Sequence, residues 1–270
     1  VAAFAEGRVV ECFGEAFAAA QVHVRTPSIA RGRMLLFDDV VEFSPGGGPW
    51  GRGYLRAEDH IHPDEWFFAG HFKNDPCMPG TMMLEGCLQT MAFYMAGLGY
   101  TLNRDGWRFE PAQEEMYKLI CRGQVTPAAK TVVYEVFVEE VIDGPIPTLY
   151  ADLLCTVDGL PAFHCRRMGL RLVPAFPLES RPALLAGHEL ADPEPNRAAQ
   201  TMGHTYDARS IAACAWGAPS AAFGPRFARF DGPQRCPRLP GPPYLFMTRV
   251  TEIDAPPAAP DGSQVAGGSI

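Results

Sequence analysis

One apolar run, residues 81–98, constrains this chain more than any other stretch. It contains no Pro and a single charge, Glu85. Only Thr81, Glu85, Gln89, Thr90 and Tyr94 carry polar side-chain atoms there. Leu, Met and Ala dominate, and these are good helix formers. A helix that is apolar on nearly every side is a buried helix, so the remaining elements must wrap around it. Its length would also suit a membrane span. The charge inside the run, with no basic flank and no second such run, argues against that.

The segment just before the helix carries reactive groups. An aromatic run, Trp66-Phe67-Phe68, leads to His71-Phe72, and a turn-rich stretch from Asn74 to Pro79 follows. Pro79-Gly80 should open the helix, since Pro suits the first turn, where its missing N–H is not needed. The first-turn N–H groups, Gly80 and Thr81 among them, have no partner inside the helix. Burial would hold Glu85 protonated, as a general acid requires. Gln89 lies four residues on, on the same helical face, within reach of that carboxyl. A base (His71), an acid (Glu85) and oriented N–H donors therefore come from one short stretch. His71 alone would more often be structural, and a lone helical Glu is usually solvated.

These residues carry a resemblance. His71-Phe72, then Asp75-Pro76-x-Met78-Pro79-Gly80, then a carboxylate fourteen residues after the His, resemble the active-site signature of the bacterial 3-hydroxydecanoyl-(acyl-carrier-protein) dehydratase/isomerase family. Phe13-Gly14, Asp39-Val40-Val41, Gly53-Tyr54, Gly123-Gln124-Val125 and Pro127-x-Ala129-Lys130 extend it over roughly residues 5–173. The form HFKNDPCMPGTMMLEGCLQ is similar to dehydratase domains of polyunsaturated fatty acid and polyketide synthases. The resemblance implies an α+β hot-dog fold, a long central helix wrapped by a curved antiparallel sheet. It implies dehydration of (3R)-3-hydroxyacyl thioesters on an acyl carrier protein. His71 would be the base, Glu85 the acid and Gly80 an oxyanion donor. Phe72, Met78, Pro79, Thr81 and Gln89 would line or support the substrate site. No cofactor or metal is expected, because the substrate arrives on the carrier's phosphopantetheine and both proton transfers use side chains. The bacterial enzyme has Asp where this chain has Glu85, and related dehydratases without isomerase activity use Glu. Dehydration is therefore supported and isomerisation is not. The alternatives are a hot-dog acyl thioesterase and a silent acyl-binding module of a megasynthase.

Composition sets the outer limits. The chain has 270 residues and a net charge of −8, so no general attraction to nucleic acid is expected. The eight Cys include no C-x-x-C pair and read as reduced thiols of a cytoplasmic protein. His60 and His62 alternate, but no convincing ligand spacing surrounds them, so no metal site is expected. Arg166, Arg167 and Arg171 form the densest basic cluster and could face an acidic carrier or a phosphate.

In chain order, residues 1–24 are Ala-rich and helical in propensity. Residues 53–61 read as a strand. After the helix come expected strands at 113–124, 131–142, 148–157 and 162–172, with Asp143-Gly144 and Asp158-Gly159 as hairpin signals. Helix followed by meander suits a hot-dog independently of the motif. Residues 1–173 then form the hot-dog and Pro-broken residues 174–203 a linker. Residues 204–270 begin a second hot-dog repeat: Phe13-Gly14-x-x-Phe17 recurs 210 positions later as Phe223-Gly224-x-x-Phe227. Arg25-x-Pro27 likewise recurs as Arg235-x-Pro237. The missing initiator Met suggests a piece of a longer polypeptide. The expected partners are the carrier protein and a hot-dog partner, supplied by homodimerisation or by the second repeat, with no nucleic acid and no membrane.

Overall fold

A computed structural model describes residues 1–112, 116–174, 198–231, 238–240 and 245–253. The chain divides into two compact units, Val1–Pro63 with Met78–Leu190, and Asp64–Cys77 with Ala191–Ile270.

In the first unit, the apolar run forms an α-helix, Gly80–Gly97. Strands β1 (Asp39–Ser44), β2 (Tyr54–His60), β3 (Trp107–Pro111), β4 (Lys118–Cys121), β5 (Thr131–Ile142), β6 (Thr148–Val157) and β7 (Leu160–Pro174) form one antiparallel sheet. Its order is β1-β2-β5-β6-β7-β3, with β4 also paired to β7. Burial alternates along the central strands. Val132, Tyr134, Val136 and Val138 of β5, and Leu149, Ala151, Leu153 and Cys155 of β6, are buried. Period-two alternation puts these on one face, the face that meets the helix. Register shifts at Val40/Glu42, Val138/Glu140, Ala151/Leu153 and Cys155/Thr156 interrupt the ladders. Such bulges bend strands and increase twist, which lets a sheet curl around a helix. This is the hot-dog architecture.

Aromatic packing closes one end of the core. Phe93 of the helix lies 5.5 Å from Phe4, 5.0 Å from Phe13 and 6.0 Å from Phe37, centroid to centroid. The middle of the helix is different: it comes so close to β5 that only Gly fits. A Cβ on Gly86 would sit 2.5 Å from the Tyr134 ring. The Tyr134 hydroxyl is buried without a hydrogen-bond partner, and burial holds its pKa far above the usual phenol range.

The chain departs from several expectations. The Ala-rich start is not one helix. It forms two short α-helices, Ala2–Ala5 and Val9–Phe13, then a 3₁₀ helix, Glu15–Val22, because Gly7 and Gly14 take positive φ. The strand expected over 113–124 contracts to β4 among the described residues. Asp158 and Gly159 both take positive φ, as a tight hairpin turn requires, whereas Pro145 and Pro147 widen the connection after Asp143-Gly144. The central helix is also not buried on every side. Thr81 is exposed, and Leu84, Glu85 and Leu88 are half-buried. Their spacing of three and four residues makes them one open stripe.

The second unit contains a short helix, Trp66–Gly70, and the hairpin Gln200–Thr201 with His204–Thr205. It also has helices Ala208–Trp216 and Pro219–Phe223 and the 3₁₀ helix Pro225–Phe230. The repeated Phe-Gly-x-x-Phe motif takes the same backbone path both times. Gly14 has φ 86° and ψ 179°, and Gly224 has φ 95° and ψ 168°. Each Gly ends a short α-helix and starts a 3₁₀ helix, and each accepts from the Phe N–H three residues on at 3.0 Å. The linker expected over 174–203 falls largely outside the described residues, as do Arg235-x-Pro237 and residues 254–270.

Gly86→Ala should lower unfolding stability by about 1–3 kcal/mol. The helix-propensity gain of about 1 kcal/mol opposes this but does not outweigh displacement of a buried ring. Tyr134→Phe should leave stability unchanged or raise it, since it removes a buried hydroxyl that has no partner. Denaturant titration of both variants checks the pair.

Candidate active site

His71 stands at the end of the helix Trp66–Gly70, in the second unit. The chain then folds back on itself: Phe72 and Asp75 exchange N–H···O bonds of 3.2 Å, and the Cys77 N–H donates to the His71 carbonyl at 2.7 Å. This brings the Cys77 carbonyl oxygen to 2.9 Å from His71 Nδ1. A carbonyl only accepts, so Nδ1 carries the hydrogen and Nε2 is the basic nitrogen of the neutral ring. The Cys77 Sγ lies 3.6 Å from the same Nδ1. The Phe72 ring stacks beside the imidazole, with centroids 4.0 Å apart.

Met78, Pro79, Gly80, Thr81, Glu85 and Gln89 belong to the first unit. Met78 is buried and donates its N–H to the Val125 carbonyl at 2.8 Å, fixing the entry to the helix. Pro79 is the N-cap, and its carbonyl accepts from Met82 and Met83. The N–H groups of Gly80 and Thr81 have no acceptor among the described residues and point out of the helix start, where the helix dipole favours negative charge. Cys121 Sγ of β4 packs against Gly80, 3.3 Å from where a Cβ would stand.

Glu85 and Gln89 line one cavity of about 190 Å³ with Ser28, Ile29, Phe109 and Glu110. Gln89 is buried and its amide is fully used. Nε2 donates to the Glu85 Oε1 at 2.9 Å and to the Met34 carbonyl at 2.7 Å, while Oε1 accepts the Leu36 N–H at 3.1 Å. That set of one donor and two acceptors allows a single orientation of the amide. Glu85 itself is half-buried, not sealed in the core as the apolar run implied, because its stripe of the helix is open.

Sequence patterning missed Glu110. It is buried on β3, held by the Arg171 Nε and Nη2 at 2.9 and 2.6 Å, and also paired with Arg108. The alternation Arg108-Phe109-Glu110 was the available signal. Arg171 is therefore a structural partner of the Glu85 cavity and not part of a surface cluster. Arg167 is likewise taken up, by Glu139, Glu140 and the Tyr150 ring. His60 pairs with Asp38, and among the described residues no cluster of His, Cys, Asp and Glu could hold a metal. The described cysteines form no disulfide. Burial raises the Cys155 thiol to about 12 and the Cys165 thiol to about 11, so both stay protonated. Among the described residues no helix is long and apolar enough to cross a membrane.

The FabA-like domain family matches residues 29–166. Solved structures that the chain matches include the dehydratase heterocomplex ApeI:P from Xenorhabdus doucetiae, at 11% identity and TM-score 0.38, covering 58% of this chain and 91% of that one. A hypothetical thioesterase with coenzyme A from Streptococcus pneumoniae matches at 9% identity and TM-score 0.34, covering 50% of this chain and 85% of that one. The mutant thioesterase PA1618 from Pseudomonas aeruginosa matches at 14% identity and TM-score 0.31, covering 45% and 75%.

Gln89→Met should destabilise the protein by about 1–3 kcal/mol, because the buried Leu36 N–H and Met34 carbonyl lose their partner. Thermal unfolding measures this, and an unchanged midpoint would show that water replaces the amide.

Proposed function

Because the chain belongs to the FabA-like domain family, we propose that it dehydrates (3R)-3-hydroxyacyl thioesters on an acyl carrier protein to trans-2-enoyl thioesters. The His71 tautomer is the observation that carries this reading. A ring whose Nδ1–H is fixed on the Cys77 carbonyl presents Nε2 as a base, and thioester hydrolysis by a carboxylate and water needs no such base.

Nε2 takes the proton from C2. Electron density moves onto the thioester oxygen, which the Gly80 and Thr81 N–H groups stabilise at the helix start. Those electrons then form the C2=C3 bond as the C3–O bond breaks. Glu85 donates its proton to the departing hydroxyl, which leaves as water. Gln89 holds Oε1 as an acceptor, which leaves Oε2 to carry that proton. The cycle ends with a proton on His71 and none on Glu85, and solvent exchange resets both. The reaction is redox-neutral, so the scheme calls for no cofactor. Phe72 and Met78 flank the base and the helix start.

A second hot-dog completes the site, from another copy of this chain or from the second repeat. Two observations support that. The cavity at Glu85, about 190 Å³, is smaller than the usual ligand site of about 300–1,000 Å³. The stripe Thr81-Leu84-Glu85-Leu88 is also open.

His71→Ala and Glu85→Gln should each reduce hydration of crotonyl thioester, the reverse reaction, by at least about a hundredfold while leaving the fold intact. Glu85→Asp should lose less. Release of free thiol at a rate above hydration would instead identify a thioesterase. Mixing the two inactive variants tests the shared site: if subunits exchange and activity does not recover, the base and acid do not meet across two copies.

A further inference from the structure

The face of the sheet turned away from the central helix holds a larger hollow than the one at Glu85. Cross-strand register builds it. Phe137 pairs with Asp152, and Leu154 with His164, which pairs in turn with Ile120 of β4. These positions alternate with the buried ones, so they all lie on the outer face. Pro49 and Trp50, from the β1–β2 connection, form one wall, and Pro161 and Ala162 another. The cavity measures about 490 Å³, within the range of small-molecule sites. Nothing in the dehydration scheme uses it.

Its charged and titratable lining is Arg122, Asp152 and His164, and two further cations stand beside it on the sheet. Arg122 lines the hollow, and its backbone is pinned there, the N–H donating to the Ala162 carbonyl at 2.9 Å. Lys118 and Ile120 stand two apart on β4, so their side chains share the outer face, and Arg122 follows the end of that strand. Lys118 stands directly opposite Arg166 across the β4–β7 pair. Like charges in that position repel each other. Lys118, Arg122 and Arg166 are exposed and form no ion pair with any described residue. Such a cluster stands out on a chain of net charge −8. The acid in the hollow, Asp152, is already engaged. It accepts the Arg167 N–H at 2.9 Å and lies 4.0 Å from His164 Nε2.

We propose that this outer-face hollow is a second binding site, for an amphipathic anion: an alkyl chain ending in a carboxylate or a phosphate. The chain lies on Phe137, Leu154 and Ile120 beneath Trp50. The head group meets Arg122, whose fork matches either anion in bidentate geometry, with Lys118 and Arg166 adding charge. Neutralising the opposed Lys118–Arg166 pair favours an anion over an alcohol of the same length.

Calorimetric titration of the full chain with decanoate and, separately, decyl phosphate tests this, with decanol and inorganic phosphate as controls. One of the two anionic amphiphiles should bind, and the tighter of them names the head group. Arg122→Glu, at an exposed side chain, and Leu154→Asp should each weaken binding at least about tenfold, or about 1.4 kcal/mol. Glu85→Gln should leave binding unchanged, and Arg122→Glu should leave thioester turnover unchanged. Four results would overturn the proposal: neither amphiphile binding, decanol binding as tightly as decanoate, Arg122→Glu binding as the unmodified chain does, or Glu85→Gln abolishing binding, which would place the ligand in the other cavity.

Discussion

The close approach of the central helix to β5 governs the first unit. With no side chain at Gly86, the helix backbone comes within contact of the buried Tyr134 ring. One turn later Gln89 ties the helix to the Met34–Leu36 segment through two hydrogen bonds. Packing on one side and the amide on the other fix both the depth and the rotation of the helix. Rotation matters most for chemistry, because Glu85 and Gln89 lie on the same face. A helix turned by one residue would break the Gln89 bonds to Met34 and Leu36 and carry Glu85 away from the cavity it lines.

The sheet answers the same constraint. A flat sheet cannot cover a helix on several sides, and these strands are bent by register shifts in three of their pairings. Each shift also resets the alternation, so a strand can change which side chains face inward along its length. Met168 and Leu170 are buried beyond the Ala151/Leu153 shift, whereas Cys165 is buried before it. Between these lie Arg166 and Arg167, both exposed, with Arg167 in the left-handed region at φ 50°.

Much of this was legible in the residues. The apolar run gave the helix almost to the residue, and β-branched and aromatic patterning gave β5 and β6 at their observed ends. The spacing of Glu85 and Gln89 foretold their hydrogen bond. Three features were not legible, for physical reasons. Residues 1–24 have helical propensity, but two glycines at positive φ divide them, and propensity summed over a window does not see a single backbone reversal. Composition alone could not tell a helix buried on every side from one with an open stripe, because Leu84 and Leu88 are as apolar as Met83 and Cys87. Glu110 lies outside every strand expected from the residues, and only the fold brings Arg171 of β7 opposite it. The partners are 61 positions apart.

The register that builds the inner core also builds the outer hollow, and this links the two candidate sites. Every inward residue of β5 and β6 that packs toward the helix, such as Val136 and Leu153, has an outward neighbour, Phe137 or Leu154. A two-faced sheet open to water on one side ordinarily alternates apolar inward with polar outward. Here the outward positions Phe137, Leu154 and Ile120 are apolar and line one hollow, with Arg122, Asp152 and His164 as its polar lining. Core packing does not demand apolar side chains there, since those positions do not touch the helix. Their clustering in one hollow, beside an opposed Lys–Arg pair that the fold leaves uncompensated, sets this part of the outer face apart from the Glu135, Glu139 and Arg56 surface around it.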